Sequence, residues 1–324
     1  MICSTIIPTI GRDSLSRAVE SVLQQDFDCD EFEVIVVNDS GKPLPHETWM
    51  DSKQVTILHT NRHNRSVARN TGAAVARGNY LHFLDDDDRI VPGAFQQLSK
   101  IASTMQAGWI CGAFALVDNQ GVLIKEIYPP ERGNCFVQTI ASEWLPLQSS
   151  WINTKAFFAV GGFELLFSTS GQDVDLSRKI ARYYEFANSS AIIATIRFGD
   201  SDSTTDYGRQ ISNNRLSREK GLDLPGAFSR LLTSARASTN RVAYWQGCII
   251  YYYLASIRWN LMQRSLSRVA SRTTYLLLAL LTSGMLLFSP SLWKAIFQPH
   301  FNLVRSSLGI IGDKMYQHTT WKES

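Results

Sequence analysis

The sequence predicts an α/β fold, namely a doubly wound, mainly parallel sheet followed by a C-terminal helical extension. Before residue 86, four short runs are rich in Val, Ile, Leu and Phe, as buried strands are, and they cover residues 2–7, 33–37, 55–59 and 80–84. Apolar residues recur at helical spacing within 13–25 and 66–77, between the first two runs and between the last two. This alternation of strands and helices is typical of a parallel sheet.

The composition is that of a folded globular protein. Of the 324 residues, 44% are hydrophobic and 19% are charged, which excludes a disordered or collagen-like chain. The length suffices for one large α/β domain with a helical extension. The five cysteines are far apart, odd in number and without a Cys-x-x-Cys pair, so the sequence predicts neither a disulfide framework nor a zinc site.

Charge divides the chain into two predicted domains, residues 1–208 and residues 209–324. The first has 17 basic and 25 acidic residues, a net charge of −8, and the second has 15 basic and 4 acidic residues, a net charge of +11. A basic segment attached to an acidic one indicates an anionic partner, either nucleic acid or the anionic inner leaflet of a membrane.

The basic extension carries aromatic residues and two apolar blocks, 249–259 and 275–288. The second block has 14 residues, fewer than the roughly 20 that span a bilayer, so we predict no transmembrane helix. Leucine-rich blocks beside arginines favour a helix in a membrane interface over nucleic-acid binding. Packing of these helices on the first domain is the alternative. The N-terminal apolar run is too short for a signal peptide, so we expect a cytoplasmic protein, with peripheral contact to the inner face of the membrane under the first alternative.

Four consecutive aspartates, Asp85 to Asp88, follow the fourth predicted strand, where ligands of such sheets bind. Neighbouring carboxylates repel each other unless a cation lies among them, and Mg²⁺ and Mn²⁺ prefer hard oxygen ligands. Because side chains alternate along a strand, Asp85 and Asp87 should share one side and Asp86 should take the other. The alternative is a solvated acidic turn or a helix N-terminus.

The residues around the aspartates carry a family resemblance. Residues 68–72 read Ala-Arg-Asn-Thr-Gly, residues 76–80 read Ala-Arg-Gly-Asn-Tyr, and residues 83–88 read Phe-Leu-Asp-Asp-Asp-Asp. In order and spacing this resembles glycosyltransferase family 2, as do Ile-Ile-Pro-Thr at 6–9 and Val-Val-Asn-Asp-Ser at 36–40. The resemblance extends from residue 2 to about residue 205.

The resemblance implies a GT-A fold and an inverting, metal-dependent transfer of a sugar from a nucleotide-sugar. A UDP-sugar is the favoured donor, and the acceptor is a saccharide or a lipid-linked saccharide in cell-surface polysaccharide synthesis. Asp87 would bind Mg²⁺ or Mn²⁺ at the diphosphate, and Asp86 would contact the ribose or the sugar. Asp85 and Asp88 would support this geometry.

The same resemblance assigns the nucleotide base to Asp39 and Arg69, with Pro8 and Thr9 lining its site. A carboxylate can accept from a base N–H, and a guanidinium can donate to a base carbonyl. The alternatives are a turn residue for Asp39 and a helix-surface ion pair for Arg69. Ile10-Gly11 stands where many family members have Tyr-Asn, which loosens the assignment of uridine.

A second motif begins with Gly-Gly-Phe-Glu at 161–164 and continues with Gly-Gln-Asp at 171–173. In the family, a Glu-Asp pair in this place supplies the general base, which implies that Asp173 takes the proton of the acceptor hydroxyl. Gln172 replaces the usual glutamate, so the role of that acid is lost or passes to Asp175. Capping of the following helix is an alternative or additional role for Asp173.

Other assignments stay open. The family often supplies a metal-binding histidine near residue 200, but this chain has Asp200 and Asp202 there. These aspartates either substitute for the histidine or are solvated loop residues. Trp151 and Trp144 are candidates for stacking on an acceptor sugar, with burial in the core as the alternative.

Three rival functions are weaker. A phosphotransferase or phosphatase would need an aspartyl nucleophile near the start of the fold, and a nucleotidyltransferase would need a Gly-rich loop containing arginine after the first strand. A catalytically inactive, membrane-associated protein that binds nucleotide-sugars is the third, suggested by Gln172 and the missing histidine.

Overall fold

The structure is a computed structural model that describes residues 1–28, 30–129, 132–141, 145–167, 170–197, 207–238 and 241–297. It has two compact units. The sheet unit comprises residues 1–133 and 145–217, and the helical unit comprises residues 134–144 and 218–324. The units thus divide later in the chain than the predicted boundary at 208/209. A single cut could not reproduce them, because the short segment 134–144 belongs with the C-terminal helices.

The sheet unit contains one nine-stranded sheet in the order β3-β2-β1-β4-β8-β6-β9-β5, with β7 paired to β6. The strands are β1 Cys3–Thr9, β2 Phe32–Asn38, β3 Val55–His59, β4 Tyr80–Phe83, β5 Arg89–Ile90, β6 Trp109–Val117, β7 Leu123–Ile127, β8 Ser150–Asn153 and β9 Phe186–Arg197. The four strands predicted from sequence are confirmed and run parallel to one another. The other half is mixed, because β8 is antiparallel to both of its neighbours, β4 and β6.

Eleven α-helices lie in the described part of the chain. They are α1 Leu15–Leu23, α2 Arg65–Val75, α3 Ala94–Ala102, α4 Phe136–Ile140, α5 Thr154–Ala159, α6 Gln172–Tyr183, α7 Tyr207–Asp223, α8 Ala227–Ala237, α9 Val242–Met262, α10 Leu266–Ser283 and α11 Pro290–Phe297. The first two match the predicted amphipathic segments. α2 begins where the Asn64 side chain accepts from the amides of Ser66 and Val67, which otherwise have no helical partner.

Two glycines allow the segment around α2 and β4 to approach β1 closely. A Cβ at Gly72 would lie 2.5 Å from Cγ2 of Ile6, and a Cβ at Gly78 would lie 2.5 Å from the backbone nitrogen of Ser4. Both distances are shorter than van der Waals contact. These glycines therefore set the position of the segment that leads into the four aspartates.

The helical unit contains a buried charge cluster. The Arg272 guanidinium pairs with Asp223, lies 3.6 Å from the Glu219 carboxylate and donates to Ser256 Oγ at 3.0 Å. Arg272 is 2% exposed, so these partners replace the water that its charge has lost.

The second apolar block is part of a longer helical segment than the sequence indicated. Residues 266–288 form a helical segment of 23 residues in which an 18-residue window has a mean hydropathy of 1.3. By length and composition the segment could cross a membrane. The segment is thus longer than the 14-residue apolar block, because arginine, serine and threonine in the first turns of α10 conceal its beginning. Length and composition are weak evidence alone, since core helices of soluble proteins share them, although only 17% of this window is buried.

Four cysteines are buried in the described part of the chain, and none of them is in a disulfide. Cys3 on β1 and Cys111 on β6 lie in the sheet unit, whereas Cys135 and Cys248 lie in the helical unit. Burial raises the pKa of the Cys3 and Cys111 thiols, which suppresses their thiolate forms.

Candidate active site

The carboxyl ends of β1, β2 and β4 meet at one edge of the sheet. Thr9 pairs with Asn38 in the parallel ladder of β1 and β2, and β4 pairs with β1 on its other side. Thr9, Asp39 and the aspartate run after β4 therefore lie at the same edge. This is the position at which open α/β sheets bind ligands.

Three of the four aspartates form a carboxylate cluster, which consists of Asp85, Asp87 and Asp88. Oxygen atoms of these side chains lie within 4.8 Å of one another. Asp86 takes the other side, as the alternation along the strand predicts, and accepts from Thr9 Oγ1 at 2.6 Å. From the sequence, Asp88 was expected only to support this geometry. It joins the cluster because the chain turns after β4, where the alternation of side chains between the two sides ends.

The cluster is electrostatically costly without a cation. Burial raises the pKa of Asp88 well above its usual range, and the nearby charges of Asp85 and Asp87 raise it further. Burial and the Asp85 charge likewise raise the pKa of Asp87. For Asp85, burial raises the pKa, but the Arg69 and Arg65 charges outweigh it and leave the pKa lowered. Three close carboxylates with hard oxygens fit the ligand preference of Mg²⁺ or Mn²⁺.

Arg12 links the two sides of the aspartate run. Its Nη1 atom lies 2.9 Å from Asp86 Oδ1 and 3.0 Å from Asp87 Oδ2. Burial raises the pKa of Asp86 as well, whereas the bonds from Thr9 and Arg12 lower it. Sequence reasoning missed Arg12, and its only signal is an arginine in the loop that follows β1.

Asp39 is bound by the loop between β3 and α2. Its Oδ1 accepts from Thr60 Oγ1 at 2.8 Å and from the Arg62 amide at 2.7 Å, and its Oδ2 accepts from the Asn64 amide at 2.7 Å. Burial raises its pKa, but these hydrogen bonds outweigh burial and leave the pKa lowered. In the turn at 38–41 it is Asn38 that accepts from Ser40, so Asp39 is not the side chain that closes this turn.

Arg69 is buried on α2 and binds the carboxylate cluster. Its Nη2 atom donates to Asp85 Oδ1 at 2.6 Å, and its guanidinium lies 5.4 Å from the ring centre of Phe163. At 4% exposure it is not the surface ion pair that was the alternative interpretation. Its Nε atom is buried and has no hydrogen-bond partner in the structure.

Asp173 lies in the first turn of α6, after Gly171, which occupies the N-cap position. Burial raises the pKa of its carboxyl group, and a bond from the Val174 amide opposes this. The adjacent Gln172 is buried, and its Oε1 atom has no hydrogen-bond partner. Asp175 pairs with Lys179 at 3.3 Å. Asp173 is therefore the half-buried carboxylate of this turn, whereas Asp175 is buried in an ion pair.

The prediction that Trp151 contacts an acceptor sugar is wrong for this structure. Trp151 lies on β8 with no exposed surface, stacked on Tyr80 at 5.7 Å between ring centres and edge-on to Phe95 at 5.4 Å. Its ring thus fills the core of the sheet unit. Pro8 is buried within β1, opposite Val37, so its approach to a base would be through the main chain. Trp144, Asp200 and Asp202 lie outside the described residues.

Gln148 and His82 are further neighbours that sequence reasoning missed. Gln148 Nε2 donates to Asp85 Oδ2 at 3.0 Å and to Asp88 Oδ2 at 2.8 Å. Burial lowers the pKa of His82 to about 4, so its ring is neutral near pH 7. Its Nε2 lies 2.9 Å from the Gln148 carbonyl oxygen, and its Nδ1 lies 3.1 Å from Thr5 Oγ1. Gln148 follows the aspartates by about 60 residues, and no local pattern singles it out.

An open cleft lies beside Asp87. Its volume is about 70 Å³, and its lining includes Arg17, Arg89, Arg197 and the hairpin residues 117–121. Arg17 lies in the first turn of α1, and Arg89 and Arg197 lie on the paired strands β5 and β9. No ion pair joins any of these three arginines to a carboxylate in the described part of the chain.

Comparison with known proteins identifies the family. The Glycosyl transferase family 2 profile matches residues 4–170. A curated relative, poly(ribitol-phosphate) beta-N-acetylglucosaminyltransferase TarP of Staphylococcus aureus, is 30% identical over 140 residues, which cover 40% of this chain and 41% of the relative. GalNAc(5)-diNAcBac-PP-undecaprenol beta-1,3-glucosyltransferase of Campylobacter jejuni is 28% identical over 130 residues, which cover 38% of this chain and 41% of that relative.

The chain thus spans about two fifths of the length of these curated relatives. Among solved structures, S. aureus TarS residues 1–349 in complex with UDP-GlcNAc aligns with a TM-score of 0.56 and 14% identity, over 84% of this chain and 90% of that one. At this identity the alignment supports the fold, a mixed α/β GT-A architecture. The family profile covers more than half of the chain, and the protein therefore belongs to glycosyltransferase family 2.

Proposed function

We propose that the protein transfers a sugar from a nucleotide-sugar, with inversion, to a saccharide or lipid-linked acceptor in cell-surface polysaccharide synthesis. The observation that carries this proposal is the meeting of Asp39, the carboxylate cluster and Asp173 in the sheet unit. Asp39 follows β2 and the cluster follows β4, the two strands that pair with β1, and Asp173 lies close enough to Asp85 and Arg69 for their charges to act on its pKa. A UDP-sugar is the favoured donor, because the TarS structure contains UDP-GlcNAc.

Donor binding would use both sides of the aspartate run. Asp39 and Arg69 would hold the base, with Pro8 and Thr9 lining its site, and Asp86 would accept from a hydroxyl of the ribose or the sugar. Asp87, with Asp85 and Asp88, would hold Mg²⁺ or Mn²⁺. When bound, the metal supplies positive charge for the leaving nucleoside diphosphate. Arg12, which donates to Asp86 and Asp87, would yield these oxygens to the ligands or remain as a second cation beside them.

Asp173 would act as the general base. The acceptor oxygen forms a bond to the anomeric carbon while the bond from that carbon to the diphosphate oxygen breaks, and the hydroxyl proton moves to the Asp173 carboxylate. A base is most effective when its pKa approaches the working pH. The raised pKa that burial gives Asp173 therefore suits this role.

The names of the relatives support the proposed acceptor class. TarP is named for poly(ribitol-phosphate), and the C. jejuni enzyme is named for an undecaprenol-linked saccharide. We therefore infer an acceptor that is a saccharide polymer or a lipid-linked saccharide.

A purified protein tests the proposal directly. With Mn²⁺ and a panel of nucleotide-sugars, we expect transfer or slow donor hydrolysis for at least one UDP-sugar. Asp173→Asn should lower transfer by roughly 10²–10⁴-fold with donor affinity retained, because only the proton acceptor is lost. Asp51→Asn, a change at an aspartate that is 73% exposed, is the matched control. Unchanged transfer in Asp173→Asn rejects the general-base role, and absence of both binding and turnover rejects the enzyme.

A catalytically inactive nucleotide-sugar-binding protein is the second candidate. The observation that favours it is Gln172, an amide in the place of the family's glutamate with a buried oxygen that lacks a partner. Donor binding by wild-type protein without turnover on a broad acceptor panel would support it. If the amide at this position causes the inactivity, Gln172→Glu should confer turnover, and an inactive Gln172→Glu would reject Gln172 as the cause.

We also propose that the protein is cytoplasmic and that its helical unit makes peripheral contact with the inner face of the cell membrane. Leu281, Met285, Phe288 and Phe297 are each at least 76% exposed, and large exposed apolar patches mark interaction sites. The excess of basic residues in 209–324 suits an anionic leaflet.

Flotation with phosphatidylcholine vesicles, with and without phosphatidylglycerol, tests the membrane proposal. Wild-type protein should float, more so with the anionic lipid, and the triple variant Leu281→Ser, Met285→Ser, Phe288→Ser should remain at the bottom. Leu123→Ser is the control, because Leu123 is a 55% exposed leucine in the sheet unit. Equal flotation of the triple variant and wild type would refute the assignment of this face.

A further inference from the structure

The arginine cleft consists of Arg17, Arg89, Arg197 and the hairpin residues 117–121 beside Asp87. Its three guanidinium groups belong to a region, residues 1–208, that carries a net charge of −8. Most basic side chains on such a surface could be balanced by nearby carboxylates. These three have no ion pair in the described residues.

Two carboxylates also line the cleft, those of Asp87 and Asp118. Asp118 Oδ1 accepts from the amides of Gln120 and Val122 and so is used to close the hairpin. Asp87 is bound by Arg12. Among the described residues, the cleft thus has three guanidinium groups and two carboxylates, both of which already accept hydrogen bonds from other groups. Guanidinium groups bind phosphate oxygens in a bidentate manner.

We propose that the arginine cleft binds a phosphate group of the acceptor. This inference rests on the proposed transferase function, and it narrows the acceptor to one that carries phosphate, either within a polymer or in a lipid-linked diphosphate. The location beside Asp87 would bring such a group next to the donor site. The space that a bound group could fill in the cleft is about 70 Å³, which suits one small anionic group.

Binding of inorganic phosphate and of pyrophosphate, measured by calorimetry without metal, tests the cleft independently of turnover. Wild-type protein should bind, and Arg89→Gln and Arg17→Gln should each weaken binding about tenfold, since each removes a charge-assisted donor. Lys53→Gln, which removes an exposed charge outside the cleft, is the matched control. No binding by wild-type protein, or equal binding by the arginine variants, would overturn the proposal.

Competition separates the possible sources of the phosphate. If the cleft serves the acceptor, saturating UDP with Mn²⁺ leaves phosphate binding in place, and the arginine variants keep wild-type affinity for UDP. Displacement of phosphate by UDP would assign the cleft to the donor diphosphate and overturn the acceptor role. Where an acceptor is known, the KM of wild type and of Arg89→Gln is measured for its polymeric and its lipid-linked form. The form whose KM rises in Arg89→Gln is the one whose phosphate the cleft binds. A protein that binds phosphate but transfers no sugar would reject the transferase and keep the anion site.

A second, independent observation concerns Gln148, whose amide group donates to Asp85 and Asp88 at the same time. An amide provides two N–H donors without a positive charge, so it can hold two carboxylates in place without competing electrostatically with a cation. Asp88 is further fixed by the Arg197 amide, which donates to its Oδ1 at 2.8 Å.

The position of Gln148 is itself fixed from within the sheet. The neutral His82 ring donates from Nε2 to the Gln148 carbonyl oxygen, and its Nδ1 accepts from Thr5 Oγ1. His82 and Thr5 are fully buried on neighbouring strands. We infer that Gln148 is a positioning residue that sets the spacing of the carboxylate cluster for a divalent cation.

Mn²⁺ affinity, measured by electron paramagnetic resonance on the purified protein, tests this role. Gln148→Met keeps the side-chain length and removes both donors, and we expect the Kd for Mn²⁺ to rise about tenfold or more, as for other residues that orient metal ligands. Gln148→Asn serves as the second variant if Gln148→Met does not fold. The control is Gln96→Met, because Gln96 also donates to an aspartate, Asp26, but on the surface.

A role in packing alone would lower the Tm of Gln148→Met and leave its Mn²⁺ affinity within about twofold of wild type, and this result would overturn the proposal. Wild-type protein that binds no Mn²⁺ would reject the metal site and the positioning role together.

Discussion

Arg69 provides the sharpest test of the electrostatics of the carboxylate cluster. It is 4% exposed and donates to Asp85 at 2.6 Å. The variant Arg69→Met keeps a long apolar side chain and removes the charge. Removal of one partner from a buried pair leaves the other charge uncompensated and typically costs about 3–5 kcal/mol.

The expected loss is smaller here, because the Asp85 side chain is 24% exposed and still accepts from Gln148. A charge-assisted hydrogen bond contributes about 1.5–3 kcal/mol, and the contact with Phe163 contributes about 0.5–1 kcal/mol. We therefore expect the free energy of unfolding at pH 7 to fall by about 2–4 kcal/mol. Arg62→Met, at an exposed arginine nearby, should cost less than about 0.5 kcal/mol.

The loss should depend on pH. The pKa of Asp85 in the folded wild type is lowered, so its pairing stabilises the fold above the ordinary carboxyl range and is lost as the pH falls through the folded pKa. In Arg69→Met the charge that most lowers the pKa of Asp85 is gone, so this pKa rises relative to wild type and ionisation of Asp85 stabilises the fold less as the pH rises. The gap between the two proteins should be widest near pH 7 and should narrow towards pH 3 in urea unfolding experiments. An equal gap at both pH values would refute the electrostatic explanation and indicate lost packing instead.

Three further predictions concern other parts of the chain. Gly78→Ala should lower stability by about 1–3 kcal/mol in urea unfolding, because the added Cβ would lie 2.5 Å from the Ser4 backbone nitrogen, and unchanged stability would contradict the close approach. Arg272→Met should lower the free energy of unfolding by about 3–5 kcal/mol, because Asp223 and Glu219 lose their buried partner. Arg268→Met, at a side chain that is 54% exposed, should lower it by less than about 1 kcal/mol. Similar losses in the two variants would argue against a buried pair. UDP with Mn²⁺ should raise the Tm, and EDTA should reverse most of this rise; a shift insensitive to EDTA would count against a metal at the carboxylate cluster.

The first half of the fold was predictable because its signals are local. The four apolar runs and the amphipathic helices between them identify β1 to β4, and the alternation along β4 places Asp86 opposite Asp85 and Asp87. The mixed half of the sheet was not predictable in this way. β8 inserts between β4 and β6, and β6 pairs with a strand that begins about 70 residues later, so no local period reports these neighbours.

The candidate site shows the same limit. Asp39, Asp86, Asp87 and Asp173 follow recognisable motifs, whereas Arg12, Gln148 and His82 act through contacts with residues about 60 to 77 positions away in the chain. Trp151 was misassigned because a tryptophan in a core and a tryptophan in a sugar site look alike in sequence. Burial decides between them, and burial is a property of the packed sheet.

Each of the two units contains two buried cysteines, whose chemical modification can report local unfolding of that unit. A thiol-specific reagent can reach Cys3 or Cys111 only when the sheet unit opens, and Cys135 or Cys248 only when the helical unit opens. Mass spectrometry of the labelled peptides would then separate the opening rates of the two units in a single sample. Ligands of the sheet unit should slow modification of Cys3 and Cys111, whereas vesicles should slow modification of the other pair.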